Sequence, residues 1–72
     1  MLSFQIVNSG RGIQIYCDDH GSATLIGALE KIRPVGGHVH LCTPSNGGRE
    51  LTERTPSGAE SIGEVIITWA GD

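Results

Sequence analysis

The spacing of the hydrophobic residues changes twice along this chain, and no other sequence feature constrains the fold as strongly. Residues 2–7 and 13–17 alternate apolar and polar side chains around a glycine-containing turn, which predicts a β-hairpin. Within residues 22–32 the apolar side chains instead recur at helical spacing and form one stripe on a helix. Alternation returns over residues 38–42, and the β-branched run at 64–69 predicts a last strand.

One helix with a single apolar stripe must cover one face of a sheet, because the stripe has no other surface to bury against. We therefore predict an α+β fold: a mainly antiparallel four- to five-stranded sheet with one helix packed on one face, in the order ββαβ(β)β. The optional strand lies around residues 50–52, after a hairpin-favouring Asn-Gly dipeptide. Asp19 or Ser22 is expected to cap the helix, and Pro34 is expected to end it.

The alternation also assigns side chains to the two faces of the predicted sheet. The expected core joins one face to the helix stripe, through Phe4, Ile6, Ile13, Ile15, Val39, Leu41, Val65, Ile67 and Trp69 on the strands and Leu25, Ile26, Leu29 and Ile32 on the helix. The opposite face mixes polar and apolar residues: Gln5, Val7, Gln14, Tyr16, His38, His40, Cys42, Ile66 and Thr68. With no second helix to cover it, that face is solvated, dimerised or used for binding.

The short chain limits the function as well as the fold. We expect one domain spanning residues 1–72, with a flexible or hairpin segment at about 43–63 that is too long for an ordinary connection. So few residues leave little material for a walled pocket with a supporting layer of side chains. The prediction is therefore a binding module and not an enzyme.

The charge and the cysteine content limit the class of partner and the cellular compartment that we expect. The chain carries five basic and eight acidic residues, a net charge of −3, and the basic residues are scattered rather than clustered. This distribution argues against a nucleic-acid partner and allows a basic protein partner. No apolar run is long enough to span or anchor in a membrane, and two cysteines are too few for a disulfide scaffold. We expect a cytoplasmic protein with free thiols.

The pattern His38-Val39-His40-Leu41-Cys42 is the sharpest candidate for chemistry. Residues two apart on a strand share a face, so two imidazoles and a thiol project together. These groups are ligands for zinc or copper, although the sequence offers no obvious fourth ligand. The simpler interpretation is that they are polar side chains on the exposed face. A nucleophilic pair of Cys42 and His40 lacks a third group to orient it.

An acidic turn precedes the predicted helix. Asp18 and Asp19 are suited to helix capping, because carboxylates near a helix N-terminus meet unpaired N–H groups and a positive dipole end. One of the two is also available to meet a cationic surface on a partner. We predict a partner-binding surface that combines this turn with the uncovered face, through Tyr16, Asp18, Asp19, His38 and His40.

The order of these segments resembles the immunity protein 32 family of bacterial polymorphic toxin systems. The likeness extends from Ile13 to Ile67 and is most distinctive in the Gly-His-Val-His-Leu run. The positions that carry it are Asp19 and Gly21 before the helix, Leu25 and Leu29 within it, Gly37 to Leu41, Leu51 and Thr52, and Val65 to Ile67.

The resemblance implies a small cytoplasmic antidote that binds a cognate toxin and blocks it without catalysis or cofactor. Two alternatives remain from the residues themselves. One is a small homodimeric structural or regulatory module, in which the mixed sheet face packs against its own copy. The other is a metal-binding module that uses His38, His40 and Cys42.

Overall fold

The computed structural model of the protein describes residues 1–33 and 36–71. Its helix and strands, in chain order, are β1 (Leu2–Val7), β2 (Gly12–Cys17), α1 (Asp19–Ile32), β3 (His38–Cys42) and β4 (Glu64–Thr68). The predicted α+β class is confirmed, and the alternating segments of the sequence are the strands of the fold. The helix ends at Ile32, while Pro34, which we expected to end it, lies outside the described residues.

The strands form two separate antiparallel pairs, β1 with β2 and β3 with β4, rather than the single sheet of four to five strands that the alternation predicts. The physical reason lies at the edge of β1 that does not pair with β2. Thr52 donates its backbone N–H to the Leu2 carbonyl at 2.9 Å, and Ile62 donates to the Phe4 carbonyl at 2.8 Å. Residues from segment 43–63 therefore occupy the edge at which a further strand would pair.

Segment 43–63 is fully described and folds without a regular strand, so the short strand expected around residues 50–52 does not form. A 3-10 turn at Pro44–Asn46 opens the segment, and Arg54 and Glu60 form an isolated bridge. Four side chains of the segment are buried: Thr43, Leu51, Thr55 and Ser61. It is a structural layer between the two hairpins.

The helix is capped by the first of the two aspartates in the acidic turn. The Asp18 carboxylate accepts a hydrogen bond from the Gly21 backbone N–H at 2.8 Å, while Asp19 lies in the first turn. Asp18, rather than Asp19 or Ser22, is therefore the N-cap residue. Gly21 is buried, and a Cβ there would overlap the Met1 carbonyl oxygen, so this position requires glycine because of close backbone approach.

The core lies where α1 meets the first half of β1, the middle of β3 and segment 43–63. Its members are Leu2, Phe4, Ala28, Leu41 and Leu51, with Leu25, Val39, Ile62, Val65 and Ile67 packed against them. The burial of Phe4 and Leu41 confirms their predicted inward positions, and Ile32 on the helix is buried too. Leu51 was not predicted, because it lies outside any periodic pattern.

Six predicted core residues are between 44% and 62% exposed instead: Ile6, Ile13, Ile15, Ile26, Leu29 and Trp69. In β1, burial is complete over the first three residues and falls off toward the turn. The turn end of the first hairpin therefore extends past the part that the core covers. A 14-residue helix and four short strands supply too little surface to cover both the core and this end.

Candidate binding groove beside the third strand

The outer edge of β3 is open along part of its length. Thr43 donates its backbone N–H to the Gly63 carbonyl at 3.0 Å, just beyond the ends of β3 and β4. Hydrogen bonding alternates along an antiparallel pair, so the peptide groups of His38, His40 and Cys42 point away from β4. These three residues therefore define the outer edge of β3.

The chain itself closes this edge at one end. The Cys42 N–H donates to the Glu50 carboxylate at 3.0 Å, and the Leu51 N–H donates to the Cys42 carbonyl at 3.1 Å. The hydrogen bond from Cys42 is the main reason that the pKa of Glu50 lies below its usual value. Among residues 1–33 and 36–71, by contrast, the backbone N–H and carbonyl of His40 have no hydrogen-bond partner.

An open groove of about 310 Å³ lies between this edge and α1. Its helix side is made mainly of small side chains, and a Cβ added at Gly27 would meet no atom within 4 Å. Lys31 and Glu50 place one positive and one negative charge on its wall. The lining residues are Ala23, Thr24, Gly27, Ala28 and Lys31 of α1, Val39, His40 and Leu41 of β3, and Glu50.

Polar side chains cluster on the solvent side of the β3–β4 hairpin. His40 Nδ1 lies 2.9 Å from Glu64 Oε2, and Cys42 Sγ donates to the same oxygen at 3.6 Å. The hydrogen bond with His40 holds the pKa of Glu64 below its usual value. The His38 and His40 rings pack edge-to-face, with their centroids 5.0 Å apart.

This cluster has the wrong electrostatics for a nucleophile. Burial, and then the carboxylates of Glu64 and Glu50, raise the pKa of the Cys42 thiol. The thiolate is the reactive form, so these neighbours suppress reactivity at neutral pH.

Nor does the described part of the chain assemble three His, Cys, Asp or Glu side chains in positions that could hold a metal ion. His38, His40 and Cys42 share a face as the sequence predicts, but His40 and Cys42 both turn to Glu64. No arrangement in the described residues therefore favours the metal-binding alternative.

The predicted partner-binding residues fall into two groups on different hairpins. His38 and His40 lie together on β3, next to the groove. Tyr16, on β2, donates its hydroxyl to Gln5 Oε1 at 3.2 Å. Asp18 is engaged by the N-terminal ammonium and by Gly21, and these hydrogen bonds hold its pKa below the usual value, whereas Asp19 is exposed.

Sequence reasoning missed the helix side of the groove and the two charged residues on its wall, Lys31 and Glu50. One signal was present: Ala23 and Gly27 are small residues four positions apart, which places them on the same helix face. Small side chains on one face allow another chain to approach the helix closely. The position of Glu50 had no such signal, because it depends on the path of an irregular segment.

The chain matches no family model, no curated protein and no solved structure. The resemblance to the immunity protein 32 family therefore stays a prediction. Within the described residues, no helix is long and apolar enough to cross a membrane. The groove and its open strand edge are the features of the fold that indicate a binding function.

Proposed function

We propose that this protein is a cytoplasmic toxin-neutralising immunity protein, a binding module without catalytic activity or cofactor. It inhibits a cognate bacterial toxin by holding an extended segment of that toxin in the groove between α1 and β3. The observation that carries the proposal is that the backbone of His40, at the edge of this groove, has no hydrogen-bond partner in the part of the chain that the structure describes. An added strand supplies backbone hydrogen bonds there, the mode of recognition known as β-augmentation.

The shape of the groove suits an extended segment. Strands that pair lie about 4.8 Å apart, so an added strand runs close beside β3. Alternate side chains of that strand then point toward the helix, where Gly27 leaves open space. Backbone pairing supplies affinity, and the fit of these side chains supplies specificity.

Electrostatics support a basic partner around the groove. The chain has a net charge of −3. Asp19 is exposed at the start of the helix, and Glu64 lies beside His40 on the solvent side of the hairpin. Complementary charge speeds encounter and selects against wrong partners more than it adds affinity. His40 lines the groove, and Tyr16, Asp18, Asp19 and His38 remain the proposed contact residues outside it.

A pair of substitutions at Gly27 tests the groove. Gly27→Leu fills it with an isobutyl group, whereas Gly27→Ala adds one methyl group at the same position. Each protein is co-expressed with the protein encoded beside it, and cell survival and co-purification are measured. The wild type and Gly27→Ala should protect the cells and co-purify with the partner, and Gly27→Leu should lose both.

Circular dichroism confirms that both variants keep the helix. If the neighbouring protein is not toxic, or if no toxin is neutralised, the immunity function fails. If Gly27→Leu protects as well as Gly27→Ala, the toxin does not bind in the groove.

A further inference from the structure

The outer edge of β2 is a second open edge, separate from the groove. Asp18 donates its backbone N–H to the Met1 carbonyl at 3.2 Å. This bond shows which residue pairs of the β1–β2 register are hydrogen-bonded and which are not. By the alternation of an antiparallel pair, Ile13, Ile15 and Cys17 direct their peptide groups away from β1. In the part of the chain that the structure describes, these groups have no hydrogen-bond partner.

This edge lacks the features that usually keep a strand from pairing with another chain. Edge strands are commonly protected by charged side chains, proline, bulges or a covering loop. Residues Gly12–Cys17 contain no charge and no proline, and all six pair regularly with β1. Ile13 is 62% exposed and Ile15 is 49% exposed. A further strand is therefore the element that would satisfy this edge and cover these side chains.

The charges that flank β2 identify which strand fits. Arg11 directly precedes the strand and Asp19 opens the helix that follows it, so opposite charges stand at opposite ends. Both residues are exposed, and neither forms an ion pair within residues 1–33 and 36–71. An antiparallel copy of the same segment reverses this order and brings unlike charges together at both ends.

We propose that two copies of this chain pair antiparallel through β2. The β1–β2 hairpin of one copy and that of the other then form one four-stranded sheet. Ile15 lies on the two-fold axis and exchanges backbone hydrogen bonds with the partner's Ile15. In this register Ile13 is opposite the partner's Cys17, and the ends of the paired strands bring Arg11 toward the partner's Asp19.

The pairing is isologous, so it closes at two copies and does not propagate. On the face that carries Ile15, the exposed Ile6 and Ile13 of each copy extend the apolar surface next to the axis. A dimer therefore covers apolar surface that a single copy leaves in water.

The mass of the intact chain in solution tests this pairing. Sedimentation equilibrium should give a dimer for the wild type, with dissociation on dilution. Ile15→Lys places two ammonium groups side by side on the axis and should give a monomer. Ile66→Lys is the matched control: Ile66 is 52% exposed on the other hairpin, so this variant should remain dimeric.

A charge exchange tests the register. Arg11→Asp and Asp19→Arg each place like charges at both ends of the interface, and each should weaken dimerisation by about tenfold at low salt. The double variant restores unlike charges and should recover the wild-type dissociation constant. Circular dichroism and thermal melting confirm that each variant is folded.

A wild-type chain that stays monomeric at about 500 μM would overturn the proposal, because even a dimer with a dissociation constant of about 1 mM is partly formed at that concentration. So would a dimer that Ile15→Lys leaves intact, or a double variant that fails to recover. Gly27→Leu distinguishes this proposal from the proposed function, because it blocks the groove on the other hairpin and should leave the dimer unchanged.

Discussion

The carboxylate of Glu64 links the two hydrogen-bonding side chains of the third strand. His40 and Cys42 both contact its Oε2 atom, at 2.9 and 3.6 Å. The contact with His40 lowers the pKa of Glu64 and stabilises its ionised form. Burial, and then this carboxylate, raise the pKa of the neighbouring Cys42 thiol. The strand therefore presents polar groups that bind one another, rather than a poised catalytic pair.

This contact leads to a prediction about pH. His40→Ala should raise the pKa of Glu64 toward the usual glutamate value of about 4.3, because it removes the hydrogen bond that favours the carboxylate. The lowered pKa of Glu64 stabilises the fold at a pH above the pKa of this group in the unfolded chain, and this stabilisation is lost as the pH falls through its pKa in the folded protein. His40→Ala should therefore also remove this part of the decrease in the free energy of unfolding at acid pH.

The side-chain carboxyl resonance of Glu64, followed by NMR from pH 7 to pH 2, measures the change. Glu53 is the internal control: hydrogen bonds from Ser45 lower its pKa, so His40→Ala should leave its titration unchanged. An unchanged Glu64 titration in His40→Ala would mean that the imidazole does not control this carboxylate.

At the scale of elements, α1 contains two glycines in opposite surroundings. Gly21 is buried against the Met1 carbonyl oxygen, whereas Gly27 faces open space. Gly27→Ala should stabilise the fold by about 0.5–1 kcal/mol, because it removes the entropic cost of glycine in a helix. Gly21→Ala removes the same entropic cost, but its methyl group would overlap the Met1 carbonyl oxygen and push the helix away from the start of the chain. This substitution should therefore destabilise the fold by about 1–3 kcal/mol.

Urea denaturation of both variants and the wild type gives the two free energies of unfolding. The two substitutions are chemically identical and lie in one helix, so each is the control for the other. Equal effects would contradict the difference in packing on the two sides of α1.

The type and bounds of the elements, and the β1–β2 hairpin, were largely predictable from the sequence, whereas the arrangement of the strands into two sheets was not. The alternation over Leu2–Val7 and His38–Cys42 identifies both strands, because half-buried strands repeat every two residues. Which edges pair is decided instead by Thr52 and Ile62, which reach β1 from an irregular segment. No periodic signal marks such residues, so neither the division into two sheets nor the burial of Leu51 was foreseen.

At the scale of the whole molecule, the outer edges of β2 and β3 are both open within the described residues, but their surroundings differ. The edge of β3 faces a groove beside small helix residues, and the edge of β2 is apolar with opposite charges at its ends. The sequence predicted His38 and His40 as site residues because they share a strand face. It missed the groove, since its walls come from three parts of the chain that only the fold brings together.

The central claim is that a partner segment pairs with β3, and the amide hydrogen exchange of His40 tests it most directly. Without a partner, the His40 N–H has no acceptor among the described residues and should exchange quickly. With the purified partner at saturation, the account predicts strong protection of His40, while Val39, already bonded to β4, changes little. A stable complex in which the His40 amide still exchanges at its free rate would contradict the account.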